Sequence, residues 1–171
     1  IREAVQLRKK VAELNREFKD EGSWFFDMWQ PRMVEIGGRK VPFADADIDY
    51  LASHQKPWVM SADNNWHGFD DIEPDYEMLD PIKLTITTPG IDDAGVMADW
   101  GIPASILTNY LIDHNIVCEK TDYYSFLMLN SLGTTRAKQG TLLAELLKFK
   151  EAFDANLPLA QVLPGLVKSH P

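Results

Sequence analysis

The chain has 171 residues, enough for one domain with a sizeable core or for part of something larger. Its composition, 45% hydrophobic and 25% charged with no apolar run near the length of a membrane span, argues against whole-chain disorder and against a transmembrane helix. A formal net charge of −9 with scattered Lys and Arg argues against a nucleic-acid partner, because phosphate-backbone binding runs on clustered cations.

The first element starts at once. "IREAVQLRKKVAELNREFKDEG" carries Ala4, Leu7, Val11, Leu14 and Phe18 at the 3–4–3–4 spacing of one helical face, with neither an initial Met nor an N-cap residue before it. A chain that begins inside a helix is expected to be a segment of a longer polypeptide. Gly22 is placed to end this helix. "SWFFDMWQP" then predicts a strand covered on both sides and stopped by Pro31, and "MVEIGGRKVPF" a hairpin turning at Gly37 and Gly38. From Ala44 to Asp80 periodicity fades into an acidic, loop-rich connection, interrupted by "WVM" at 58–60 with room for one short strand.

Order returns at "IKLTITTPG", whose β-branched residues predict a strand ended by Pro89 and Gly90. After the polar excursion "IDDAGVMADWG", Pro103 opens a helix with Ile106, Leu107, Tyr110 and Leu111 in an apolar stripe. Two strands, "IVCEKT" and "YSFLMLNSL", follow. Thr134 or Thr135 then caps a long helix in which Leu142, Leu146, Phe149 and Phe153 share a face, and Pro158 and Pro164 break up the tail. The order strand, helix, strand, strand, helix over 82–153 predicts a small α+β layer: an antiparallel or mixed sheet with helices on one face.

Most chemical motifs are missing or have plainer explanations. His54, His67, His114 and His170 are far apart and Cys118 is the single cysteine, so no structural zinc spacing and no internal disulfide is available. Cys118 lies in an apolar run and reads as a small core hydrophobe rather than a nucleophile. "DNNWHG" opens like a calcium loop with Asp63, Asn65 and Gly68, but Pro74 stands where a bidentate Glu is needed. No phosphate-binding glycine motif and no nucleophile-elbow motif occurs. The acidic stretch 70–80 reads as a solvated loop, and His67 in "WHGF" as a packed histidine stabilising a turn.

Glu119 is harder to place. If "IVCEKT" alternates, Val117, Glu119 and Thr121 share one face and Ile116, Cys118 and Lys120 the other. One of the two charges must then point toward covered structure or lie at the strand's end. A partly desolvated carboxylate needs a partner, because an unpaired buried charge is strongly unfavourable. That partner is either an internal Lys or Arg or a cationic ligand.

"GSWFFDMWQP", "WHGF", "MLDPIKLTITTPG", "GIPASILTNYLIDHNIVCEKT" and "SLGTTRAKQGTLLAELLKFKEAFDAN" resemble successive blocks of the bacterial inducible ornithine/lysine/arginine decarboxylases, in order and over nearly the whole chain. The resemblance implies a pyridoxal 5′-phosphate enzyme of aspartate-aminotransferase-like fold. Residues 1–80 would be the last part of the large cofactor domain with a connecting segment, 81–157 the small α+β domain, and 158–171 the start of a C-terminal extension. It also implies an enzyme that assembles as dimers and decamers, makes polyamines or diamines with release of CO2, and serves in acid resistance; the single cysteine fits the reducing cytoplasm as its compartment. The family's Schiff-base lysine sits in a Ser-x-His-Lys motif that this sequence lacks, so no catalytic residue is assigned to this chain and the chain alone is expected to be inactive. "EKT" matches the family position whose carboxylate faces the substrate's distal amine, which implies a substrate-binding role for Glu119.

Substrate choice is divided. Asp122-Tyr123-Tyr124 replaces the Gly-Pro-Tyr of lysine-type members, while "WVM" and "FDANLPLAQVLPGLV" are similar to the arginine branch, whose corresponding strand end usually lacks this Glu. Arginine and lysine both stay open, with ornithine behind and a slight lean to arginine. Asp122 is either a second carboxylate for a guanidinium or a surface turn residue. Two other readings remain: a noncatalytic assembly module derived from the family, and another pyridoxal phosphate reaction such as transamination.

Overall fold

The computed structural model describes residues 1–62, 64–73, 77–92 and 96–169. Asp63 and Pro74 of the rejected calcium loop, Asp75 of the acidic stretch, residues 93–95 of the polar excursion and His170 lie outside the described residues.

Helix α1, Arg2–Asp20, ends as Gly22 predicts. Gly22 adopts φ +73° and donates its N–H to Lys19 O at 3.0 Å, while Ser23 N–H reaches Phe18 O at 2.8 Å, closing the last turn. The helix lies in the seam between two cores: Ala4, Leu7 and Val11 enter one and Val5 the other. The strand expected over 23–31 is reduced to β1, Asp27–Met28. The side-chain amide of Asn15 on α1 donates to Phe25 O at 3.1 Å and Phe26 O at 3.2 Å, so this backbone bonds to the helix rather than to a neighbouring strand.

The predicted hairpin forms from β2, Met33–Ile36, and β3, Arg39–Pro42. Gly37 and Gly38 both take positive φ, as a tight two-residue turn requires. The following stretch is more ordered than its composition suggests. Asp47, one of the acidic residues read as loop, caps helix α2, Ile48–Ser53, by accepting the Tyr50 N–H at 2.7 Å. "WVM" supplies β4, Val59–Met60, which pairs with β5, Glu77–Met78. Val34, Phe43, Leu51, Trp58 and Leu79 close the second core around Val5.

The second half follows the predicted order: β6, Lys83–Thr87; α3, Ala104–Asp113; β7, Lys120–Thr121; β8, Ser125–Leu129; and α4, Arg136–Asp154. Two short helices, α5 at Leu159–Val162 and α6 at Pro164–Ser169, begin beside Pro158 and at Pro164. Thr135 caps α4 through Lys138 N–H at 3.3 Å. "IVCEKT" contributes only its last two residues to the sheet because its start closes α3. Asn115 turns at φ +61°, and Ile116 N–H returns to Leu111 O at 2.8 Å.

The main sheet is antiparallel in the order β1-β6-β8-β7. Met28, Leu84, Ile86 and Phe126 project from one face against Ala4, Leu7 and Val11 of α1, Leu107 and Leu111 of α3, and Leu142, Leu146 and Phe149 of α4. The fold is therefore α+β with helices on one face, as expected. Because β1 belongs to the sheet, strands from both sides of the expected boundary at 80/81 share it. Beyond β6 the chain crosses itself closely: a Cβ on Gly101 would lie 2.6 Å from Gly90 Cα and 2.7 Å from Pro89 O, and Ile102 N–H bonds Pro89 O at 2.8 Å. That crossing sets the start of α3 beside the end of β6.

Candidate functional site on the open face of the sheet

Side chains alternate across a strand, so the residues between the core positions of β6 and β8 point the other way. Asp27 pairs with Thr87 and Thr87 with Ser125, while Thr85 pairs with Leu127 and Leu127 with Lys120. Over this face lies a groove of about 530 Å³ with Thr85, Thr87 and Ser125 on its floor.

One wall is aromatic. Trp29 follows β1 and is held by its N–H to Thr85 O at 2.9 Å. Its ring lies 5.2 Å from Trp66 and 6.2 Å, edge to face, from Phe69. His67 sets the position of Phe69: its Nδ1 accepts the Phe69 N–H at 3.1 Å, so Nε2 carries the proton and donates to Ser61 O at 2.9 Å. The ring is buried and stacks on Phe69 at 5.9 Å, so His67 is the packed, turn-stabilising histidine that its setting in "WHGF" predicts. The opposite wall is the turn between β7 and β8. Asp122 N–H bonds Ser125 O at 2.8 Å, and Asp122 Oδ1 accepts the Tyr123 N–H at 2.7 Å. Phe69 and Tyr123, both lining the groove, are 54% and 84% exposed.

Of the two carboxylates singled out in the sequence, Asp122 lines the groove and Glu119 does not. Glu119 stands one residue before β7 with its N–H on Leu127 O at 2.8 Å, and its side chain is exposed. The expectation of a partly desolvated charge at 119 or 120 is corrected here: both are exposed, because β7 is a two-residue edge strand, and Ile116 and Cys118 are the residues that turn partly inward. Among the described residues no ion pair engages Glu119 or Asp122. Burial pushes the Cys118 thiol up to about 11, so it is protonated near neutral pH and packs as a small hydrophobe.

Arg8 supports the groove and was not foreseen. It is fully buried, with its guanidinium 5.5 Å over the Trp58 ring, and donates to Pro81 O at 3.0 Å, Trp29 O at 3.3 Å and Lys83 O at 2.6 Å. It thereby ties the groove's aromatic wall to the lead into β6. Burial draws its pKa down to about 9 against the opposing pull of Asp80. The signal was its position, one turn after Ala4 on the face that α1 buries. A second polar cluster, on the helix-covered side, joins α3 to α4. Tyr110 donates its O–H to Glu145 Oε2 at 2.9 Å, Lys148 Nζ bonds Glu145 Oε1 at 2.7 Å, and His114 Nε2 lies 3.6 Å from Glu145 Oε2. The hydrogen bonds from Lys148 and Tyr110, with the electrostatic pull of His114, hold the Glu145 carboxyl below its ordinary range.

The groove therefore offers two carboxylates, Asp122 and Asp92, whose Oδ1 accepts the Val96 N–H at 2.8 Å, together with the hydroxyls of Thr85, Thr87 and Ser125 and flat rings, which suits a small cation carried on an apolar stem. Among the described residues no lysine lines it, so they bring no amine to link covalently to a carbonyl cofactor. The buried lysine, Lys150, is instead enclosed by Phe18 and Trp24 at 4.4 and 5.2 Å and paired with Asp154. No helix among the described residues is long and apolar enough to cross a membrane.

An antiparallel sheet with helices on one face and a ligand-sized groove on the other defines an α+β unit with a candidate binding site on its open face. Comparison with known proteins specifies it: the family model "Orn/Lys/Arg decarboxylase, major domain" matches residues 1–138, and the chain belongs to the ornithine/lysine/arginine decarboxylase family. It is 43% identical to the biodegradative arginine decarboxylase of Escherichia coli K12, over all of this chain and 23% of that protein. It is 39% identical to the inducible lysine decarboxylase of the same strain, over all of this chain and 21% of that protein. The crystal structure of the lysine decarboxylase LdcF of Francisella novicida superposes with a TM-score of 0.79 at 37% identity, covering 99% of this chain and 20% of that one. The chain thus spans about a fifth of the length of these relatives.

Proposed function

We propose that this chain is a segment of a pyridoxal phosphate-dependent decarboxylase of basic amino acids, with arginine or lysine ahead of ornithine, that releases CO2 and leaves a polyamine or diamine. Residues 1–80 are then the end of the cofactor-bearing large domain and its connection, 81–157 the small domain, and 158–171 the opening of a C-terminal extension. The observation that carries this reading is the groove on the open sheet face, with Asp122 on one wall and the rings of Trp29 and Phe69 on the other, in a chain of this family. Its opening leaves room for the large domain to supply the facing wall.

Pyridoxal phosphate supplies an electron sink for the carbanion left when CO2 departs. The residues present here give it no covalent anchor, and that lysine belongs to the remaining polypeptide in this reading. The work of this chain is binding and orientation. Asp122 receives the substrate's distal cation from the groove wall, Glu119 is assigned to the same cation on its family position rather than on the groove lining, the hydroxyls of Thr85, Thr87 and Ser125 face the stem, and the aromatic wall excludes water. The protein works in the cytoplasm, in acid resistance, as dimers that build decamers.

The test is carbon dioxide release by the full-length polypeptide supplied with pyridoxal phosphate, from arginine, lysine and ornithine in turn. Release from at least one is expected, and Glu119→Gln should lower that kcat/KM at least tenfold. No CO2 from any of them, or a keto acid in its place, would contradict the proposal. An unchanged ratio in Glu119→Gln would remove Glu119 from the binding role.

A further inference from the structure

We infer that the groove reads a guanidinium group, which selects arginine among the three amino acids that name the family; the inference rests on the decarboxylase reading above. The two candidate cations differ in shape. A guanidinium is flat, weakly hydrated and carries five N–H donors in one plane, so it stacks on rings and needs several acceptors around its edge. An alkylammonium is a compact, strongly hydrated point charge with three donors, for which one carboxylate and water suffice.

The groove matches the flat cation. Asp122 is oriented before any ligand arrives, because its Oδ1 takes the Tyr123 N–H at 2.7 Å. Thr85, Thr87 and Ser125 make no side-chain hydrogen bond among the described residues, which leaves three hydroxyl oxygens on the floor as further acceptors. Two exposed rings line the groove, Tyr123 next to the acid and Phe69 on the Trp29 side. Phe69 is held by His67, and Tyr123, the most exposed aromatic residue here, packs on no other ring among the described residues. Among the described residues neither Lys nor Arg lines the groove to oppose a cation, and both ring nitrogens of His67 are already engaged, by the Phe69 N–H and Ser61 O.

The test compares Asp122→Asn with the wild type in the full-length polypeptide loaded with pyridoxal phosphate. Asn keeps the oxygen that accepts the Tyr123 N–H and lies on an exposed turn, so an unchanged melting temperature should show that the fold survives. The wild type is expected to favour arginine over lysine and ornithine at least tenfold in kcat/KM. Asp122→Asn should lower the arginine value at least tenfold, chiefly through KM, and the lysine value by a clearly smaller factor, with Asp122→Glu restoring part of the loss. A second readout avoids catalysis: in calorimetric titrations, agmatine should bind more tightly than cadaverine, and Asp122→Asn should erase the difference. Equal losses for arginine and lysine, or tighter binding of cadaverine, would overturn the guanidinium site and leave the decarboxylase reading standing. Absence of all CO2 release with the agmatine preference intact would do the reverse.

Discussion

Ile86 and Thr87 are neighbours on β6 and meet opposite surroundings. Ile86 is fully buried between Met28 and Phe126 beneath three helices, whereas Thr87 opens onto a groove beside Ser125 and Asp27. The same alternation runs along β8, where Phe126 faces the core and Ser125 the groove. One set of strands therefore serves two ends: the helix-covered face carries the stability of the unit, and the open face, relieved of that duty, can hold hydroxyls, carboxylates and exposed rings.

The contrast can be broken from its dry side first. Phe126→Ala should destabilise the chain by about 3–5 kcal/mol in denaturant melts, because it empties a fully enclosed site. A smaller effect is expected at the polar clasp between α3 and α4, where Glu145→Gln should lose about 1 kcal/mol as a charge-assisted bond to Lys148 becomes a neutral one. This loss should depend on pH. Since the folded state holds the Glu145 carboxyl below its ordinary range, its contribution is complete above the unfolded carboxyl's pKa of about 4.3 and fades as pH falls toward the lower folded value. Wild type and Glu145→Gln should therefore converge in stability under acid; melts that run parallel from neutral pH down would contradict this. The smallest change is expected on the groove side, where Thr85→Ala should shift stability by no more than about 0.5 kcal/mol, because its side chain packs under no helix.

Much of the dry face could be read from the chain. Spacing placed α1, α3 and α4, Gly22 and Thr135 marked a helix end and a start, and the order of elements over 82–153 fixed the fold class. What escaped were places where a side chain overrides local pattern. Asn15 takes the carbonyls that a longer β1 would have used, the left-handed turn at Asn115 spends the start of "IVCEKT" on closing α3, and Asp47 converts an acidic loop into a helix cap. The groove was legible only in fragments. Asp122, His67 and Trp29 were all visible as residues, but their meeting depends on strand register and on Arg8, whose burial follows from two cores meeting along α1. Glu119 was noticed for an apolar setting that the structure does not supply; its claim now rests on family position and on exposure at the edge of the same sheet.

The central claim is that the open face of the sheet is a substrate wall completed by the remaining polypeptide. It can be tested by hydroxyl-radical footprinting of Phe69 and Tyr123 in the full-length protein, with and without a saturating basic amine product. Both rings should be oxidised more slowly in the full-length protein than in this 171-residue chain, and more slowly again with the amine bound. Rings that label as fast in the full-length protein as in the chain, and show no response to the amine, would contradict the account.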